Sequence, residues 1–120
     1  MSATQQVFVY GTLKQGGWNH KWLNGAPCQG AAVTVAQYAL YATSYPFLVE
    51  DEALYPVEGE LYAVDADGLA HLDVLEGHPD DYVRKEIAVR NAVGEVVTAW
   101  AYFHSQPQGD LLAVGVFDNP

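Results

Sequence analysis

The chain is poor in the features that would announce a staple, a polyanionic partner or a membrane. It has one cysteine, Cys28, which excludes an internal disulfide framework and any thiol-rich zinc site. It has five Lys and Arg against fifteen Asp and Glu, for a formal net charge of −10. Lys14, Lys21, Arg84, Lys85 and Arg90 form no continuous run. Phosphate binding needs clustered cations, so nucleic acid is excluded as a partner and an anionic membrane surface is disfavoured. No apolar stretch approaches the length of a membrane span. Met1–Gln6 has neither the basic nor the apolar segment of a leader, so the expected compartment is the cytoplasm. Three chemistries also lack their marks. No GK[ST] or GxGxxG element is present for phosphates, no HExxH or HxxxH pair for a metal, and no GxSxG element for triad hydrolysis.

What is present suits one folded domain over residues 1–120. Half the residues are hydrophobic and 12% are aromatic, which argues against disorder. A chain of this size hides roughly two-thirds of the surface it exposes when unfolded. Val7-Phe8-Val9-Tyr10 reads as a buried strand that runs into a glycine-punctuated loop, Gly11 to Gly17. Trp18, Trp22 and Leu23 have helical spacing, with Gly25 as a stop. Ala31 to Thr43 reads as one long or broken strand, and Phe47-Leu48-Val49 as a short one. Val57 to Val64 alternates, with Glu58, Glu60 and Tyr62 on one face. A helix follows, capped by Asp65 or Asp67, lined by Leu69, Leu72 and Leu75 and ended by Gly77 and Pro79. Val83 to Asn91 and Val96 to Phe103 are strands joined by a hairpin at Asn91-Ala92-Val93-Gly94. The tail from Gly109 to Pro120 has no clear period. Strands dominate, helices are few and short, and hairpins join neighbours. The pattern is α+β with a mostly antiparallel, curled sheet.

Several residues invite a chemical reading beside a structural one. The turn Tyr10-Gly11-Thr12-Leu13 follows a buried strand, and its successive N–H groups can converge on an anion or simply connect two elements. Glu76 is the last residue before the helix-ending glycine, where its carboxylate faces the negative end of the helix dipole. That position and the net negative charge raise its pKa, which suits a group that takes and returns a proton. The alternative is a surface glutamate paired with Arg84 or Lys85. Glu60 is the rival carboxylate, either facing inward or on a solvated edge. Tyr82 and Tyr102 can each aim a phenol into a cavity or pack in the core. His20, His71, His78 and His104 are expected in structural or surface roles, and Cys28 as a packing residue.

Two elements together carry a resemblance: Phe8-Val9-Tyr10-Gly11-Thr12-Leu13-Lys14, and Leu72-Asp73-Val74-Leu75-Glu76-Gly77-His78-Pro79 followed by Tyr82-Val83-Arg84. With Tyr45-Pro46 and Val57-Glu58-Gly59-Glu60-Leu61-Tyr62 between them, the chain resembles the γ-glutamylcyclotransferase-like family, in its γ-glutamylamine cyclotransferase or AIG2-like branch. The resemblance implies a small mixed, mostly antiparallel β-barrel flanked by short helices, with a cavity at one barrel end. It implies that Tyr10, Gly11, Thr12 and Leu13 cradle a small-molecule γ-glutamyl substrate and that Glu76 is the catalytic acid/base. Tyr82 and Tyr102 are expected to line the pocket. The implied reaction closes 5-oxoproline and expels an amine, and it needs no metal or organic cofactor. The alternatives are a non-catalytic metabolite-binding protein of the same fold, or an interaction domain whose pocket is filled by Trp18 or Phe47.

Overall fold

A computed structural model describes residues 4–118. The leader reading at Met1–Ala3 and the last two residues of the tail lie outside the described residues. The strands are β1 (Gln5–Val9), β2 (Cys28–Thr34), β3 (Ala39–Ala42), β4 (Pro46–Val49), β5 (Glu58–Val64), β6 (Val83–Asn91), β7 (Val96–Phe103) and β8 (Asp110–Leu111). One α-helix, α1, spans Ala66–Glu76. Strands β1-β5-β2-β6-β7 close into a barrel, and β4-β3-β8 form a small second sheet. Every barrel pairing is antiparallel except the closing one, where Val7 meets Trp100 in parallel.

Period-two alternation sorts the apolar residues into two layers. Phe8, Leu61, Ile87, Val89, Ala99 and Ala101 fill the barrel, joined by Leu40 and Leu48 from the second sheet. Val7, Val9, Tyr62, Val64 and Tyr102 belong to a second cluster, where Leu69 and Leu72 of α1 cover them together with Leu13 and Leu23. The helix therefore lies against the outside of β1 and β5.

The alternation over β5 holds, with Val57 and Leu61 in the barrel cluster and Tyr62 on the opposite face with Glu58 and Glu60. That face points out of the barrel, and the second cluster covers and buries its Tyr62 end. Glu60, half-buried there, accepts hydrogen bonds from the Tyr62 hydroxyl at 2.8 Å and the Gln15 N–H at 2.9 Å. Ala31 to Thr43 is the broken form, with β2 and β3 in different sheets. The helical spacing after Trp18 yields only a 3₁₀ turn, His20–Leu23, stopped by Asn24 in the left-handed region at φ 51°. Cys28 does not pack; it is exposed beside a bulge in β2.

Asp65 caps α1, its Oδ1 accepting from the Gly68 N–H at 2.7 Å. Gly77, at φ 68°, ends it in the left-handed conformation that glycine adopts without strain. The His78 N–H then donates to Asp73 O at 2.9 Å, and the Tyr82 N–H donates to Glu76 O at 3.1 Å. This return puts Asp81 and Tyr82 back beside the end of the helix.

Candidate active site

The cavity sits where the end of β1, the end of α1, β4 and the end of β7 meet. Its volume is about 380 Å³. All seven residues proposed from the sequence line it: Tyr10, Gly11, Thr12, Leu13, Glu76, Tyr82 and Tyr102. Asn19, Tyr45, Phe47, Asp81, His104 and Gln108 add to its wall. Trp18 does not fill it; its exposed ring lies 5.3 Å from that of Tyr45.

The β1 turn is tight for a packing reason. A Cβ on Gly11 would run into the ring of Pro46, so the loop lies against β4 only because position 11 has no side chain. The Lys14 N–H donates back to Gly11 O at 3.0 Å, and the Asn19 N–H donates to Thr12 O at 3.0 Å. The Asn19 side-chain amide donates to Thr12 Oγ1 at 3.0 Å. The N–H groups of Thr12 and Leu13 have no acceptor among the described residues. Both residues are buried at the cavity wall. Two buried, unspent N–H groups on successive residues make a site for a carboxylate or a developing oxyanion.

Glu76 faces that loop across the cavity. Its carboxyl is pushed up to about 7, first by burial and then by the nearby charge of Asp81. The upward direction matches the sequence reading, but the main cause is loss of water around the carboxylate rather than the helix end. Pairing with Arg84 or Lys85 does not occur. Arg84 grips Asp73 at 2.9 and 3.1 Å, and Lys85 reaches Glu50 at 2.5 Å.

The tyrosines are positioned by their hydroxyls. Tyr10 donates to Tyr102 O at 2.6 Å, Tyr82 to Pro46 O at 2.9 Å and Tyr102 to Asp73 Oδ1 at 2.7 Å. Burial raises the pKa of all three, so each remains a neutral phenol. Tyr82 stacks on Phe47 at 5.9 Å, with the His104 ring edge-on to both. Glu60, His20, His71, His78 and Cys28 lie away from the cavity.

Four polar wall residues were not proposed from the sequence: Asn19, Asp81, His104 and Gln108. His104 Nε2 lies 2.8 Å from Asp81 Oδ1, and the Gln106 N–H donates to His104 Nδ1 at 3.0 Å. An accepting Nδ1 leaves the ring proton on Nε2, which donates to Asp81. The pair spans 23 positions, so no local spacing could have announced it.

The family model described as "Gamma-glutamyl cyclotransferase, AIG2-like" matches residues 7–118. The chain belongs to this family. A Methanocaldococcus jannaschii protein, provisionally named a gamma-glutamylcyclotransferase, is 39% identical over 116 residues, covering 96% of this chain and 97% of its own. The Escherichia coli gamma-glutamylcyclotransferase family protein YtfP is 31% identical over 107 residues, 88% of each chain. Among solved structures, a mouse AIG2-like protein superposes with a TM-score of 0.78 at 32% identity, over 84% of this chain and 77% of its own. A structure named gamma-glutamyl cyclotransferase shares the fold at 17% identity, with a TM-score of 0.72 over 90% of this chain and 70% of its own. The barrel with its flanking helix is thus the family's fold. No helix among the described residues is long and apolar enough to cross a membrane.

Proposed function

We propose that the protein releases 5-oxoproline and a free amine from γ-glutamyl amines, with Glu76 as the single acid/base. The observation that carries this reading is a half-buried carboxyl of pKa about 7 in the same cavity as the unspent Thr12 and Leu13 N–H groups.

The substrate supplies its own nucleophile, so no Ser or Cys is required. Its α-ammonium gives a proton to the Glu76 carboxylate. The freed amine attacks the γ-carbonyl carbon and closes a five-membered ring. Well-oriented intramolecular attack of this kind is worth on the order of 7–11 kcal/mol. Protonated Glu76 then hands its proton to the leaving nitrogen as the old C–N bond breaks. The ring nitrogen's second proton passes to Glu76 and departs with the amine, which leaves as an ammonium. Glu76 ends ionised, ready for the next turnover. A carboxyl near 7 suits both halves of this cycle, because neither the acid nor the base form is scarce at neutral pH.

In this reading one loop N–H group holds the substrate's α-carboxylate and the other the developing oxyanion. The neutral phenols of Tyr10, Tyr82 and Tyr102 shape the walls and keep water from Glu76.

The test incubates the protein with a panel of γ-glutamyl amides and measures 5-oxoproline. Product from the unmodified protein and a rate lowered by about 10²–10⁴-fold in Glu76→Gln is the expected result. Saturable binding without product from any amide identifies a non-catalytic binding protein instead. Full activity in Glu76→Gln overturns the mechanism.

A further inference from the structure

The two ends of the cavity differ in chemistry. The inner loop offers the Thr12 and Leu13 N–H groups, which the proposed reaction assigns to the α-carboxylate and the developing oxyanion. The proposed reaction uses these on the glutamyl half of the substrate. The amine half must then lie along the remaining wall, toward the exposed residues Tyr45, Asp81 and Gln108.

That wall has no lysine or arginine to offer a second anion, only the neutral donors of Tyr45 and Gln108. None of the chain's five Lys and Arg residues lines the cavity. The hydroxyl hydrogens of Tyr10, Tyr82 and Tyr102 are all committed to protein acceptors. The His104 Nε2 proton is committed to Asp81.

The same wall is well furnished for a cation. The Asp81 side chain is 65% exposed, and only its Oδ1 is engaged by His104. Oδ2 has no hydrogen bond among the described residues and is available to an ammonium. Tyr82 feels the charges of both Glu76 and Asp81 and lies close to Tyr45. Tyr45 in turn is backed by the exposed ring of Trp18. Phenol oxygens whose hydrogens point away can still accept, and ring faces attract cations.

We propose that the mouth of the cavity is an ammonium subsite formed by Asp81, Tyr45 and Tyr82, so that the preferred substrate is a γ-glutamyl amide of a diamine or polyamine. This rests on the glutamyl reading of the inner loop and narrows it. An amine that carries a carboxylate meets Asp81 with no cation to offset it. An amine with a second positive charge meets a fixed carboxylate and electron-rich rings.

The test uses three γ-glutamyl amides of matched length that differ only at the far end of a four-carbon chain. These are the mono-amide of 1,4-diaminobutane, the amide of a neutral alkylamine and the amide of 4-aminobutyric acid. Binding to the Glu76→Gln protein is measured by calorimetry, and kcat/KM on the unmodified protein by 5-oxoproline release. The diamine amide is expected to bind about tenfold more tightly than the neutral one, the combined worth of a part-exposed ion pair and a cation–π contact. The carboxylate-tipped amide is expected to bind weakest. Asp81→Asn should lower the diamine-to-neutral ratio by several-fold in both measurements, leaving only the share that the Tyr45 and Tyr82 rings supply. The ratio cancels any effect of Asp81 on Glu76, which both substrates share. Equal or reversed ranking, or a ratio that Asp81→Asn leaves unchanged, overturns the subsite. The expected ranking in binding with no 5-oxoproline from any amide keeps the subsite and removes the chemistry. Turnover of all three without ranking does the reverse, and no binding by any of them removes both.

Discussion

Within the barrel body, Phe8, Leu61, Val89 and Ala101 pack as a wholly apolar layer. Two residues after Phe8, Tyr10 turns its hydroxyl to the Tyr102 carbonyl, and the wall becomes polar. The same contrast divides α1 within one turn. Asp73 is gripped by Arg84 and by the Tyr102 hydroxyl. Glu76, three residues on, is half-buried near another carboxylate and has no ion pair among the described residues. Natural sequences leave such conflicts where chemistry needs them. Stability comes from the filled body, and at the open end the desolvated Glu76 carboxylate takes back part of it.

The largest expected effect separates the two regions by function. Glu76→Gln should lower the rate of 5-oxoproline release by about 10²–10⁴-fold, the usual worth of acid–base help. The folded state should persist, as read by circular dichroism. A loss of secondary structure would mean that Glu76 belongs to the scaffold after all.

Leu61→Ala should do the opposite. It removes side-chain volume from the barrel body and should cost about 2–5 kcal/mol in a urea titration. Val74→Ala on the exposed face of α1 should stay within about 0.5 kcal/mol. Equal costs at the two sites would break the contrast between filled and unfilled regions.

Glu76 should also weigh on stability in a pH-dependent way. Its carboxyl is raised in the folded state, to about 7 from 4.5, so the folded protein holds this proton more tightly than the unfolded chain. Ionising it therefore destabilises the fold. The penalty is absent below about pH 4.5, grows as the pH rises to about 7 and is constant above that. Glu76→Gln should accordingly be more stable than the parent by on the order of 3 kcal/mol above pH 7, and not below pH 4.5. Thermal melts at pH 4 and pH 8 would reveal this, and a constant difference between the two would count against a buried Glu76.

The smallest effect sharpens the account of why Glu76 is raised. The acid limb of kcat/KM should inflect near pH 7. Asp81→Asn should move it to lower pH by less than one unit, because burial is the larger cause and remains. A shift of two units or more would make Asp81 the dominant influence.

The elements of the fold were legible because their signals are local. Asp65, Gly77 and the leucines between them define α1, and Asn91 to Gly94 close the β6–β7 hairpin. The loop from Tyr10 to Leu13 and the segment around Glu76 were recognisable as family elements, and both reach the cavity. What was not legible depends on neighbours distant in the chain. Whether the Glu58, Glu60 and Tyr62 face meets water was open in the sequence, and the second cluster decides it by covering Tyr62. Asn19, Asp81 and His104 carry no motif, and only the turn after Gly77 and the end of β7 bring Asp81 and His104 together.

The amino acid order alone determined where the helix starts and stops, which residues alternate and which family the chain joins, because caps, periods and short motifs act over a few residues. The tertiary structure alone decided that Glu76 loses its water and that Asp73 takes the arginine Glu76 might have had. It also decided that no cation lines the cavity. Burial and electrostatic fields are sums over everything nearby in space, and no stretch of chain contains them.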